Sequence, residues 1–322
     1  MNWPFVAALS LTMVLSQAEA APKKPAHPAA SAPACCHVPA GTPVRVELVA
    51  PISTKTQKSG DAFALRLAKP LVVNGQIVLP AGTPGVGEVV DASQPGYGSK
   101  AAKLVLAARS LTHGGVSIPL RSLQLNAVGK GASKEVDAAG VAGMAFAPLG
   151  LAALAMKGGQ VTVPAGAQAN AKLASDIFLP ALGPAGPGVA SAAPEPASVS
   201  TGAIAIPRPA SGKGQIVFFR KKSLMGTGQW FNVRENGQAL GKLTNGAYFF
   251  ETVEPGRHVY TASTEPQSKD SLRLEVDAGE TYFVEGALTK GLVIGAANLA
   301  PSTRAAFDAA SKELATAPPV GE

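Results

Sequence analysis

Cys35-Cys36-His37, with His27 upstream, is the densest group of ligating side chains in the sequence. Thiolate and imidazole together suit a soft metal ion. No further Cys or His stands at metal-site spacing, because this pair holds both cysteines of the chain. Adjacency also works against a bond between the two. Neighbouring Cα atoms lie about 3.8 Å apart, below the roughly 4.4–6.8 Å a disulfide prefers, so such a bond would be strained and easily reduced. The pair fits a soft-metal ligand, an intermolecular disulfide, or two thiols without an essential role. Lipidation at Cys35 is disfavoured, since no apolar segment directly precedes it.

The remaining candidates are weaker. His113 opens a Gly114-Gly115 turn, and His258 follows Pro255-Gly256 and precedes a strand, so both read as turn-edge residues. Asp61, after Ser59-Gly60, reads as a loop cap, and Gly226-Thr-Gly228 is an isolated GxG. HExxH, GxSxG, a P-loop and a strand-linked GxGxxG are all missing, and these are the spacings that bring zinc ligands, nucleophiles or phosphate-binding amides together. The sequence names no catalytic, cofactor-binding or metal residue, and it predicts a protein that is not an enzyme.

What would position any site is a repeated unit. Asn74-Gly75 is a tight hairpin turn; Ile77-Val78-Leu79 is an apolar strand; Pro80-Ala-Gly82 ends it; Val86, Glu88 and Val90 resume alternation. Gly158 to Leu173 repeats the pattern around Pro164-Ala-Gly166. Proline removes a ladder donor and glycine allows positive φ, so both copies read as strand, turn, strand.

Composition sets the frame. Charged residues make up 15% of 322, against about 25% usually. With 35 Gly, 27 Pro and 5% aromatics, short strands and many turns are expected, not a large helical protein. Met1 to Ala20 reads as a secretory signal: Phe5 to Leu15 is an apolar core, and Ala18-Glu19-Ala20 places small residues where cleavage needs them, although no Lys or Arg precedes the core. Loss of residues 1–20 removes one acid and no base, so the net charge rises from +7 to +8. Residues 41–180 carry 13 Lys/Arg and 7 Asp/Glu, and residues 211–315 carry 12 and 11. A basic first half could be steered toward anionic polymers or headgroups, or be a solvated surface. With so few aromatics there, nucleic-acid binding is not expected.

The expected organisation is a signal (1–20), a disordered Pro/Ala/Lys tether (21–40), a β-barrel (41–180), a Pro-rich linker (181–212), a small antiparallel β-sandwich with a C-terminal helix (213–315) and a tail (316–322). In the barrel, strands are predicted at Val44–Leu48, Ala62–Leu67, Pro70–Val73, Lys103–Ala108, Val116–Pro119, Arg121–Leu125 and Ser175–Leu179. In the sandwich, Tyr248 and Phe250 share one strand face, and Ser302 is the predicted cap of a helix over Thr303–Leu314. The fold class is all-β. The exception is Ala138 to Met156, nineteen uncharged residues with Pro148 in the middle. As one helix it would span about 29 Å; folded at Pro148-Leu-Gly150, each arm is too short to cross a bilayer. It fits either a mobile Ala/Gly loop or a pair of apolar arms that touch a membrane or a partner.

Gly41-Thr-Pro43, Ser59-Gly-Asp61, Val78-Leu-Pro-Ala-Gly-Thr83, Val161-Thr-Val-Pro-Ala-Gly166 and Ser175-Asp-Ile-Phe-Leu179 together resemble the β-barrel domain of the TrbI family, subunits of type IV secretion (conjugal transfer) channels. The resemblance implies a barrel at the outer membrane, in which the apolar insertion corresponds to a helical hairpin. Asn232-Val-Arg-Glu-Asn-Gly237, Leu243-Thr-Asn-Gly-Ala-Tyr-Phe249, Glu254-Pro-Gly-Arg-His258 and Ala278-Gly-Glu-Thr-Tyr-Phe283 resemble the domain of unknown function 2846, a small envelope β-sandwich with no established activity. Two functions are consistent with this: a periplasmic or outer-membrane-associated scaffold that docks through the barrel, or a monomeric module binding peptidoglycan, lipid or a peptide. Expected partners are envelope proteins or cell-wall polymer, with peripheral membrane contact through Ala138 to Met156 and room for oligomerisation.

Overall fold

The computed structural model describes residues 36–95, 102–123, 125–128, 159–186, 204–224, 226–264, 268–289 and 296–318. Among these, strands predominate and one short α-helix occurs. No described helix is long and apolar enough to cross a membrane. Residues 138–156 and the predicted signal lie outside the described residues.

The first half comprises β1 (Cys36–Val38), β2 (Pro43–Leu48), β3 (Ile52–Ser53), β4 (Ala62–Leu67), β5 (Leu71–Val73), β6 (Gln76–Leu79), β7 (Pro84–Ser93), β8 (Lys103–His113), β9 (Val116–Arg121), β10 (Asn126–Val128), β11 (Thr162–Val163), β12 (Gln168–Leu173), β13 (Ile177–Leu179) and β14 (Gly183–Pro184). Six of them close a ring in the order β8-β7-β4-β2-β12-β9, and β9 returns to β8. Closure leaves the ring without an open edge. Alternation places Val44, Val46 and Leu48, then Phe63, Leu65 and Leu67, then Ala169, Ala171 and Leu173 in its core. The second Pro-Ala-Gly unit supplies β12, the strand that closes the ring between β2 and β9.

The repeat is threefold, one copy more than the two expected from the sequence. Pro39-Ala-Gly41 precedes β2 as Pro80-Ala-Gly82 precedes β7 and Pro164-Ala-Gly166 precedes β12. Gly41, Gly82 and Gly166 have φ of 82°, 82° and 76°, the left-handed region where only glycine is unstrained. Each donates its N–H to the last leucine carbonyl of a ring strand: Leu173 at 2.8 Å, Leu67 at 2.7 Å and Leu48 at 2.8 Å. Composition alone groups the first copy with the tail before it. In fact β1 lies inside the stretch expected as tether, pairs with β13, and holds Cys36, which is buried and disulfide-bonded and hence not a thiolate metal ligand.

Two further differences are local. The strand expected at 116–119 runs on through Pro119 to Arg121 as β9 and stops at Ser122, where φ is 56°, and the described residues 122, 123 and 125 of the strand expected at 121–125 are not in a strand. The linker is fastened at both ends, with β14 on β6 and Ile204 and Ile206 packed on the second half.

The second half comprises β15 (Gly214–Phe219), β16 (Phe231–Glu235), β17 (Gln238–Leu243), β18 (Ala247–Val253), β19 (Gly256–Thr264), β20 (Ser268–Val276), β21 (Thr281–Thr289), β22 (Ala296–Ser302), α1 (Arg304–Ala310) and β23 (Ala315–Thr316). Sheets β22-β21-β15-β18-β23 and β17-β16-β19-β20 face each other. The first sheet is mixed, not purely antiparallel: β15 runs parallel to β21, with Phe283 opposite Val217, and β18 runs parallel to β23. A parallel pair needs a long crossover, and the chain from β16 to β20 provides it, with β16, β17, β19 and β20 in the other sheet and β18 returning to pair with β15. Tyr248 and Phe250 pack on one core cluster while Phe249 packs on the other, so both faces of β18 are covered. The helix cap is Thr303, one residue after the expected Ser302; its side chain accepts from Ala306 N at 3.1 Å.

Candidate functional site

The densest arrangement of charge among the described residues is a seam where the outer faces of β7 and β8 meet β20. Strand β7 starts it with an irregularity. Val89 pairs with Leu106 and Asp91 with Val105, which leaves Val90 as an extra residue. Such a bulge re-aims the side chains around it. Val89 stays in the barrel core, while Val90, together with Val105 across the pair, joins the hydrophobic cluster of the sandwich. Asp91 is then fully buried.

β20 is an edge strand of its sheet, so its outer N–H and C=O groups need partners. Side chains of the barrel supply them. Asp91 accepts from Arg273 N at 2.9 Å, and Lys103 Nζ donates to Ser271 O at 3.0 Å. Lys103, 1% exposed, also pairs with Asp270, whose carboxylate accepts from Leu299 N at 2.7 Å. The ion pair is thus buried with each partner also hydrogen-bonded to backbone, which offsets part of the cost of burying the charges.

Around this centre lies a ring of partly buried pairs. Arg109 makes a two-pronged contact with Glu275 and donates through Nε to Glu88 at 3.0 Å, and Arg257 reaches the other Glu88 oxygen. Burial alone would raise the Glu88 carboxyl, but hydrogen bonds and charge from Arg109 and Arg257 outweigh it and hold it below the usual carboxylate range. The Glu275 carboxylate keeps Arg109 more firmly protonated than usual, against the opposing effect of burial. Further along, the Asp277 carboxylate accepts from Ser122 N at 2.9 Å, Ser122 Oγ at 3.0 Å and Tyr282 OH at 2.9 Å. Burial, then the Asp277 charge, raise the Tyr282 phenol far above its ordinary range. Arg121 donates to Ala278 O at 3.0 Å, and Lys172 meets Glu280 at 2.6 Å.

Ion pairs cross the seam in both directions, and Arg257 and Arg273 of the second half answer Glu88 and Asp91 of the first. Lys103, Arg109 and Lys172 of the basic half answer Asp270, Glu275 and Glu280 of the other. Part of the excess that could have steered the barrel to an external polyanion is engaged inside the chain. A crevice of about 50 Å³ remains in the seam, walled by Arg109, Arg121, Ser122, Glu275, Asp277 and Tyr282. A small organic ligand needs roughly 300 Å³ or more, so this space suits water. Among the described residues no three His, Cys, Asp or Glu side chains gather in a way that could hold a metal ion.

The residues singled out in the sequence lie elsewhere. His37 lies against Phe178 with its ring tilted by 35° and faces Asp176 at 3.4 Å; His113 ends β8 at its hairpin; Asp61 accepts from Lys58 N at 2.8 Å, the loop cap expected. His258 meets Glu235 at 2.7 Å through Nδ1 and Glu254 O at 2.8 Å through Nε2, and stacks on Tyr260. Gly226 of the isolated GxG packs against Leu288. The seam residues carry no motif. Their signal in the sequence is the unequal charge of the two halves, together with a lysine and an aspartate standing in apolar strands.

Residues 210–297 match the family model described as protein of unknown function DUF2846. The match covers β15 to β21 and ends within β22. No curated protein and no solved structure matches the chain.

Proposed function

We propose that this chain is a non-enzymatic, exported protein of the cell envelope that serves as a structural connector: the barrel docks on an assembly, and the sandwich is held on it as a fixed adaptor. The observation that carries this reading is the buried Lys103–Asp270 pair with its surrounding ring of charges. A flexible tandem of binding modules has no need of such a seam, whereas a connector must keep its two ends in one orientation. The barrel's resemblance to TrbI-type secretion subunits supports docking at the outer-membrane face, and the Met1–Ala20 pattern supports export.

The test is native purification from fractionated cells. The protein should be found in the periplasmic or envelope fraction, start at Ala21, and run at a mass well above that of one chain. A cytoplasmic protein starting at Met1 would remove the export claim. A monomer retained on isolated cell wall at low salt and released at high salt would replace the connector with a binding module.

A further inference from the structure

The loop between β15 and β16 has a construction that the connector reading does not use. Its tip side chain, Leu224, is fully exposed, and Trp230 at its end is 48% exposed. Apolar groups left in water on a loose loop would be unremarkable, but this loop is braced. Arg220, 3% exposed, donates to Gln229 O at 2.7 Å and to Gly226 O at 3.0 Å, which ties its two legs together. Asn245 clamps Ser223 through both backbone groups, at 2.9 Å each, and the Thr227 hydroxyl donates to Leu224 O at 2.9 Å. Gly226, with φ of 71°, sits so close to Leu288 and Arg220 that a Cβ there would crowd both.

The charge of the loop itself is basic, although Lys221 is engaged by Glu285 of β21 at 3.0 Å. Arg220, Lys221 and Lys222 lead into the loop, and no acidic residue occurs from Gly214 to Arg234. Lys222 is exposed. From the neighbouring strand β17, Lys242 places its ammonium 3.8 Å from the centre of the Trp230 ring. An exposed indole beside lysine stems, with a leucine projecting past them, matches the layers of a lipid surface. Leucine reaches the acyl boundary, tryptophan lies at the headgroup level, and lysines meet phosphate. Because the described residues on either side of 225 are already fastened by Arg220 and Asn245, little of their conformational freedom is lost on contact.

We propose that the Lys221–Trp230 loop is a docking tip for an anionic lipid surface. Leu224 and Trp230 insert shallowly, and Lys222 and Lys242 bind the lipid phosphates. This goes beyond the connector reading and does not depend on it, since it concerns the face of the sandwich alone.

The test uses residues 21–322, in which Trp230 is the sole tryptophan and the apolar stretch at 5–15 cannot itself enter the vesicles. Added vesicles of phosphatidylcholine containing phosphatidylglycerol should shift its emission to the blue, and brominated acyl chains should quench it; vesicles of phosphatidylcholine alone should do neither. Leu224→Asp alters a side chain with no packing to lose, so the fold should be unchanged by circular dichroism while vesicle affinity falls about tenfold or more. Lys222→Glu should lower affinity by about fivefold per unit of charge removed. The proposal is overturned if no shift occurs with anionic vesicles, if neutral vesicles give the same shift, or if Leu224→Asp binds as tightly as the parent. A blue shift that grows with protein concentration without vesicles would overturn it too, in favour of a second copy of the chain as occupant.

Discussion

Replacing Lys103 by alanine should lower the unfolding free energy of the full chain by about 3–5 kcal/mol, far more than the roughly 0–1 kcal/mol of an exposed ion pair. The reason is what stays behind. Asp270 is buried on the sandwich side, and its remaining partner within the seam would be a single backbone N–H, that of Leu299. An uncompensated buried carboxylate is strongly unfavourable, and Ser271 O would lose its donor as well. The companion double variant Lys103→Met, Asp270→Asn should recover most of the loss. Methionine refills the volume of the lysine stem, and the asparagine oxygen can still accept from Leu299 N. Urea unfolding of the three proteins checks this; a Lys103→Ala protein within about 1 kcal/mol of the parent would mean that the pair holds nothing together.

The second large effect is expected at Phe307. This residue is fully buried, with its ring centre 5.4 Å from Phe219, 5.7 Å from Phe283 and 5.8 Å from Tyr248. It comes from α1, a seven-residue helix too short to persist without packing. Phe307→Ala removes the ring that covers the outer face of β15 and should lower stability by about 3–5 kcal/mol. The stretch that matches the family model ends at 297, ahead of Phe307 and also of Leu299, which is fully buried in the other cluster. A fragment ending at 297 should therefore bind a hydrophobic dye and lack a cooperative thermal transition, whereas one ending at 318 with the barrel in place should melt cooperatively. A cooperative melt of the shorter fragment would show that α1 is an ornament on a complete core.

Local chemistry was what the sequence made legible. Asn74-Gly75 and Asn236-Gly237 both carry positive φ, as tight hairpins between antiparallel strands require. Alternation located β2 and β12 and the side of each that faces the core. Partner choice between distant strands was not legible. The parallel pairing of β15 with β21 depends on a crossover through another sheet, and no residue pattern in either strand encodes it. The seam was hidden for the same reason: Lys103 and Asp270 are 167 residues apart, and each alone reads as an ordinary strand residue. The charge imbalance between the halves was visible but pointed equally well to an outside partner. The shift of the helix cap from Ser302 to Thr303 reflects two hydroxyl residues that cap about equally well.

The barrel and the sandwich should hold each other through the seam and not merely through the chain that joins them. A protease site inserted within residues 187–203 allows that chain to be cut in the folded protein. Size-exclusion chromatography after cleavage, at neutral pH and moderate salt, should return both fragments in one peak at the mass of the uncut protein, and the same cut in Lys103→Ala should yield two. Separation of the cut parent protein into two folded halves would contradict the claim.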